Sequence, residues 1–320
     1  MTALSAIYGR ITATRNRLYD RGTFRSNRLS RPVISVGNIS VGGSGKTPFV
    51  ILLGQWLNQR GITFDVLSRG YGRETRGVLA VDPDGSPREF GDEPLLIAKA
   101  LKCPVVVGKS RYEAGLFAEK QRTSDYHILD DGFQHRSLAR DFEIVLLSPE
   151  DLHDQLLPAG RLREPLSSAG RADVIVLSED VDSSRLPTGK SIWRVRRSLL
   201  WTSSIFPSCV TPRRPVLFCA IARPHRFVEQ VRASGVQPAA QKFYRDHHRY
   251  SERDIDDLLA IKAHHSADGF IATQKDWINL GPLYARLGSI AFPPVKMDLI
   301  EPADALDTML RIIAERRPRT

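Results

Sequence analysis

Between Arg31 and about Glu179 the chain alternates short apolar runs with longer stretches of helical periodicity. The runs at 33–36, 64–67, 105–107, 127–129, 144–147 and 174–177 have strand length, and 48–59, 94–101 and 111–121 carry apolar positions three and four apart. That rhythm predicts an α/β fold with a mostly parallel sheet and helices on both faces. In such sheets ligands collect beyond the carboxyl ends of the strands. Residues 181–215 are richer in Ser, Arg and Pro, with one strand-like stretch at 191–196, and read as a linker after a domain over 31–180. A strand at 216–221, helices from Arg226 and Glu252, a strand at 270–273 and a helix from Ala303 then predict a smaller C-terminal α/β domain over 216–320.

The first thirty residues have a different pattern. Leu4, Ile7, Tyr8, Ile11 and Leu18 recur at helical spacing, with Arg10, Arg17, Arg21 and Arg28 on a face beside them. Seven arginines against one acid, Asp20, give residues 1–31 a net +6 of the chain's formal +10. A basic amphipathic helix over 1–30 suits the headgroup layer of an anionic membrane. A helix packed on the domain with solvated arginines is the other reading. Nucleic acid is not expected as a partner, because no helix-turn-helix, zinc finger or aromatic-basic platform accompanies the charge.

Composition narrows the class. The 320 residues are 42% apolar and 26% charged, as in a globular protein with a substantial core. No apolar run approaches the roughly 18 residues of a membrane span, and the first stretch lacks the continuous apolar centre of a signal sequence. Cys103, Cys209 and Cys219 are too few and too scattered for a disulfide framework or a zinc site. Core packing is expected for Cys103 and Cys219, and a reducing cytoplasm fits.

The chemistry begins at Ser40-Val41-Gly42-Gly43-Ser44-Gly45-Lys46-Thr47, directly after the run at 32–36 and before a helical stretch. Strand, glycine-rich turn, Lys-Thr and helix make a phosphate-binding loop. Backbone N–H groups turn inward on phosphate oxygens, Lys46 supplies charge to the β/γ-phosphates, and the Thr47 hydroxyl is placed for Mg²⁺. The helix start adds its positive end. Ser40 stands where the common pattern has glycine. These features predict a nucleoside-triphosphate user.

Other candidates depend on that loop for their meaning. Asp130-Asp131-Gly132 closes a strand, where a carboxylate can hold Mg²⁺ beside the phosphates, or simply make a turn. Asp92, in Gly91-Asp92-Glu93-Pro94, reads locally as the acidic start of a helix. It could alternatively accept a proton from an attacking hydroxyl. In Asp246-His247-His248, one histidine held by a carboxylate is the better functional guess, against ordinary surface histidines. Arg161 and Arg163, in the loop at 157–165, suit phosphate recognition or plain solvation. Thr273-Gln274-Lys275-Asp276 places its lysine one residue too late for the guanine-selecting element of regulatory GTPases.

Seven strings, VGNISVGGSGKTP (36–48), SRGYGR (68–73), GDEP (91–94), LDDGFQHR (129–136), LLPAGRLREP (156–165), DHHRYS (246–251) and TQKD (273–276), together resemble the tetraacyldisaccharide 4′-kinases, the lipid A 4′-kinases of Gram-negative bacteria. That family carries Ser or Thr at the position of Ser40. The resemblance implies phosphoryl transfer from ATP, with Mg²⁺, to the 4′-hydroxyl of an acylated glucosamine disaccharide 1-phosphate. The enzyme would then be peripheral, on the cytoplasmic face of the inner membrane. It implies Asp92 as the base and His247 as its dyad partner. Asp130 or Asp131 would hold Mg²⁺ with Thr47, with Glu164 as a further candidate ligand. Arg69 and Arg163 would lie near the sugar phosphate. Three other classes remain open: a regulatory GTPase, a membrane-bound ATPase of partitioning type, and a kinase for a soluble sugar.

Overall fold

The computed structural model describes residues 2–121, 124–201 and 211–317. In chain order the elements are α1 (Ala3–Asp20), β1 (Val33–Asn38), α2 (Lys46–Gln59), β2 (Phe64–Ser68), β3 (Leu79–Ala80), α3 (Pro87–Phe90), α4 (Asp92–Leu101), β4 (Val105–Val107), α5 (Arg111–Gln121), β5 (Tyr126–Asp130), β6 (Phe142–Leu146) and β7 (Val174–Ser178). Next come β8 (Ser191–Leu199), β9 (Val216–Cys219), α6 (Pro224–Ala233), β10 (Ala240–Phe243), α7 (Glu252–His264), β11 (Phe270–Ile271), α8 (Gln274–Leu280), β12 (Ile290–Ala291), β13 (Val295–Glu301) and α9 (Ala305–Arg316).

Nine strands form one sheet in the order β13-β8-β7-β6-β1-β5-β2-β4-β3, parallel except where β3 meets β4 and β13 meets β8. β1 lies near its centre, between β5 and β6, and all six of its residues are buried. Burial on both faces is why it reads as a continuous apolar run and not as an alternation. Phe49, Val50, Leu53 and Leu57 of α2 press onto this centre with Ile34 and Val36. Phe49 is fully buried, and its truncation to Ala would cost about 3–5 kcal/mol. The expected parallel α/β architecture is what the chain adopts.

Its division along the chain differs from expectation. Residues 191–199, inside the stretch read as a linker, form β8 of the large sheet. Trp193 and Val195 alternate inward there at 2% and 1% exposure. The second sheet, β10-β9-β11-β12, is wholly parallel. The chain then returns to the first sheet: β13 pairs with β8, and Met309 and Ile313 of α9 join the core around Phe49. The smaller unit is therefore inserted between β8 and β13. Cys219 is fully buried and Cys103 partly so, consistent with packing roles, whereas Cys209 lies outside the described residues.

α1 begins at Thr2, whose hydroxyl accepts the Ser5 N–H. Its buried residues are polar: Ser5, Thr12 and Asn16. Three of the five stripe residues face outward instead, Leu4, Ile7 and Ile11 at 65%, 53% and 63% exposure, while Tyr8 and Leu18 are partly buried. Among the described residues no helix is long and apolar enough to cross a membrane.

Candidate active site

The phosphate-binding loop leaves the carboxyl end of β1 and enters α2. Ser40 is buried and bridges to Leu162, while Val41 N–H donates to Arg161 C=O at 2.9 Å and Arg163 N–H to Ile39 C=O at 2.7 Å. The segment at 156–163 thus braces the loop from outside. Gly45 caps α2 at φ +90°, and a methyl group there would collide with the guanidinium of Arg197. Only glycine meets both demands. Val41, Gly42, Gly43, Ser44, Gly45, Lys46 and Thr47 all border a cavity of about 800 Å³; Ser40 lies beneath it.

Opposite the loop stands the end of β5. Lys46 Nζ donates to Asn38 Oδ1 at 3.1 Å and pairs with Asp131 at 3.3 Å; Arg163 also reaches Asp131, at 3.2 Å. Burial works to raise the Asp131 carboxyl, but these two cations hold it well below the usual range. Asp130 has the opposite fate. Burial, then the charges of Glu93 and Asp131, push it up to about 7, although Ser68 donates to its Oδ2 at 2.9 Å. Its Oδ1 is buried without a partner. A buried, unpartnered carboxylate oxygen on a residue that borders the same cavity as Thr47 is what a hard divalent cation would satisfy. Among the described residues there is no cluster of three or more His, Cys, Asp or Glu to cage a metal. The set therefore fits Mg²⁺, which keeps waters and leans on substrate phosphates, better than a cation enclosed by protein.

The third wall pairs residues 155 positions apart. His247 Nδ1 donates to Asp92 Oδ2 at 2.8 Å. Asp92 is the first residue of α4, after Gly91 at φ +91°, and its Oδ1 accepts the Glu93 N–H at 2.8 Å. The helix start seen in the sequence is real, and the side chain has a second use. Burial pushes the Asp92 carboxyl up, but the His247 hydrogen bond, the Lys275 charge and Asn279 bring it down to about 2. His247 is raised, first by its bond to Asp92. It sits in a left-handed backbone conformation (φ +59°), with the Tyr71 ring 5.0 Å away. His247 borders the cavity, and Asp92 lies directly behind it. Of the other histidine in the pair, Nε2 bonds Asp254 at 3.2 Å and the ring stacks on Tyr244, a structural use.

The structure does not bring every candidate together. Arg69 and Arg163 both border the cavity. Glu164 does not: its fully buried carboxylate accepts from Asn16 Nδ2 at 2.5 Å and Arg171 at 2.8 Å, with Arg15 at 3.6 Å. Residues not singled out from sequence also face the cavity. Tyr8, Thr12 and Arg15 make α1 one of its walls, and Gln134 holds Arg163 at 3.1 Å. Arg197 donates to Ser44 C=O at 2.5 Å, and Arg223 pairs with Glu150 and Asp151 at 2.9 and 3.1 Å. Arg197 lies in the stretch that reads as a linker, so nothing local marks it. Glu93 and Lys275 stand inside GDEP and TQKD, where the motif is the available signal.

Against this geometry, the family model for tetraacyldisaccharide-1-P 4′-kinase matches residues 1–314. The chain belongs to that family. A tetraacyldisaccharide 4′-kinase of Koribacter versatilis is 48% identical over 325 residues, covering 99% of this chain and 100% of the relative. One from Geobacter metallireducens is 37% identical over 318 residues, covering 94% of each. The crystal structure of "apo" form LpxK from Aquifex aeolicus in complex with ATP superposes with a TM-score of 0.79 at 34% identity, covering 97% of both chains. Membership in the 4′-kinase family sets aside the GTPase and partitioning-ATPase readings.

Proposed function

We propose that this chain transfers the γ-phosphoryl group of ATP to the 4′-hydroxyl of an acylated glucosamine disaccharide 1-phosphate held at a membrane surface. One observation carries the reading: a phosphate-binding loop and His247, hydrogen-bonded to the buried Asp92 behind it, border the same cavity of about 800 Å³. A nucleotide site alone needs no such pair. An acceptor hydroxyl does.

In this mechanism the amides of Gly43 to Thr47 and the start of α2 cradle the β- and γ-phosphates, and Lys46 neutralises charge on the transferring group. Thr47, Asp130 and Asp131 would hold Mg²⁺. When bound, the ion would supply charge neutralisation to the phosphate groups. Asp131, already paired with Lys46 and Arg163, joins the two sides of the site. The 4′-oxygen bonds to the γ-phosphorus as the bond to the β–γ bridging oxygen breaks, and ADP departs. The hydroxyl proton passes to the Asp92–His247 pair, which titrates as a unit. Arg69 and Arg163 recognise the anionic sugar phosphate through guanidinium hydrogen bonds.

The same reading places the enzyme peripherally, on the cytoplasmic face of the inner membrane. The outward stripe Leu4, Ile7 and Ile11 enters the acyl boundary, exposed Arg10 and Arg17 meet anionic headgroups, and the inner face with Tyr8, Thr12 and Arg15 closes the cavity. The test is ATP-dependent transfer of radiolabelled phosphate to a tetraacyl disaccharide 1-phosphate in detergent micelles, with an Asp92→Asn control. Labelled lipid that vanishes in the variant supports the kinase and its base together. ATP turnover without labelled lipid would refute it.

A further inference from the structure

α8 is the part of the inserted unit that reaches behind the dyad. Thr273 caps it, with the Thr273 hydroxyl donating to Asp276 Oδ2 at 2.5 Å. Asp276 also accepts the Ala220 N–H at 2.8 Å and the Tyr250 hydroxyl at 2.7 Å. These bonds hold the helix against sliding. Ile278 packs with Phe90, Leu95 and Leu96, which flank Asp92 in sequence, so apolar contact sets the docking of α8 on α4.

Lys275 and Asn279, four residues apart, share one helix face. Asn279 Nδ2 donates to Asp92 Oδ2 at 3.2 Å, the same oxygen that takes the His247 bond. With Oδ1 occupied by the Glu93 N–H, both carboxylate oxygens are fixed. Lys275 Nζ forms an ion pair with the Glu93 carboxylate, one residue along.

We propose that Lys275 and Asn279 are positioning residues for the phosphoryl transfer, Asn279 fixing the rotamer of Asp92 and Lys275 setting the charge balance around the dyad. The inference rests on the kinase reading, and it makes the proton affinity of the pair depend on docking of α8.

The charged and titratable groups around the pair are Lys275 on α8, Glu93 on α4 and Asp246, 3.8 Å from His247 Nε2 on its own loop, with the Tyr71 ring beside them. Two of these three charges are anions. Lys275 is the cation that offsets them, and its charge favours ionised Asp92 and opposes protonated His247. Its removal also leaves Glu93 uncompensated. Both effects strengthen proton uptake by the dyad, so the acidic limb of activity moves to higher pH.

The experiment is an NMR titration of the His247 ring together with pH–rate profiles, on wild type, Lys275→Met, Lys275→Arg and Asn279→Ala. In Lys275→Met the ring should titrate about one pH unit higher, and the acidic limb of kcat/KM for the lipid should move with it. Lys275→Arg should restore both, with KM for ATP unchanged throughout. Asn279→Ala should lower kcat roughly ten- to a hundredfold without moving lipid KM. If the Met variant melts, Lys275→Gln, which keeps a hydrogen bond to Glu93, gives the same readout. An unmoved His247 titration overturns the role of Lys275, and unchanged kcat in Asn279→Ala overturns that of Asn279. Should wild type transfer no phosphate at all, the kinase reading fails, while the titration still decides whether Lys275 governs the pair.

Discussion

Glu164 supports two opposite expectations, and a single substitution separates them. As a metal ligand it would tune the Mg²⁺ requirement. In the structure its carboxylate is fully buried and bonded to Asn16 of α1 and to Arg171, with Arg15 at 3.6 Å. Glu164→Gln keeps the volume and removes the charge. Hydrogen bonds to charged groups are worth about 1.5–3 kcal/mol each against about 1 for neutral ones. The amide oxygen can keep the Asn16 and Arg171 bonds at the Oε2 position, while the NH₂ replaces Oε1, which makes no hydrogen bond and faces Arg15 at 3.6 Å. The net loss is about 2–4 kcal/mol, lowering Tm by roughly 3–6 °C in a chain of this length. Thermal unfolding measured by circular dichroism reads the first quantity, and a Mg²⁺ titration of phosphate transfer reads the second. The expected result is a lower Tm with unchanged half-saturating Mg²⁺. A wild-type Tm with a raised Mg²⁺ requirement would refute the reasoning and put this carboxylate on the metal.

Gly45→Ala forces an L-residue into φ +90° and against Arg197, so ATP binding measured by calorimetry should be lost. Gly61→Ala, also at positive φ (+66°) but in open space, should cost about 1–2 kcal/mol of stability and leave binding intact. Asp130 is raised to about 7 when folded, against about 3.9 in an unfolded chain. The native state therefore binds more protons across that window, and metal-free stability falls as pH rises from 4 to 7. Asp130→Asn should flatten that decline, be more stable than wild type at pH 8 without Mg²⁺, and transfer no phosphate; parallel urea-midpoint curves for the two proteins would contradict this. Ile7→Ser with Ile11→Ser should weaken sedimentation with anionic vesicles at least about tenfold, as expected from losing two apolar contacts. Phosphorylation of a deacylated, water-soluble disaccharide should be spared, and unchanged vesicle binding would remove α1 from the membrane.

The central strand and its loop were legible because each local signal agreed with the next: a run buried on both faces, a glycine turn, Lys-Thr and an amphipathic helix. β8 was hidden because Trp193 and Val195 alternate within a stretch rich in Ser, Arg and Pro. β13 was missed for a related reason, since Lys296 and Asp298 alternate with Met297 on an edge strand that is only half covered. For α1 the pattern defined the stripe but not its direction, and direction depends on what Ser5, Thr12 and Asn16 bond elsewhere in the chain. The dyad lies beyond local reasoning altogether. Asp92 announces a helix start and His247 a surface turn, and only the docking of α8 on α4 joins them. The family resemblance supplied that pairing, whereas Asn279 and Arg197 had no signal beyond their residue type.

The return of the chain to the first sheet has a consequence for how the enzyme can be taken apart. Leu199 of β8 and Val295 of β13 are direct partners on antiparallel neighbours, so everything between them leaves and re-enters through one hairpin opening. A turn of a few residues could close that opening and return a nine-stranded sheet with its phosphate loop, Asp130 and Asp131 in place. The excised piece would carry away His247, Lys275, Asn279 and Arg223. The cut would fall inside the Asp92–His247 hydrogen bond: Lys46, Thr47 and Asp92 stay with the phosphate-binding scaffold, and the histidine leaves with the insert, so the cavity is lined from both sides of that seam.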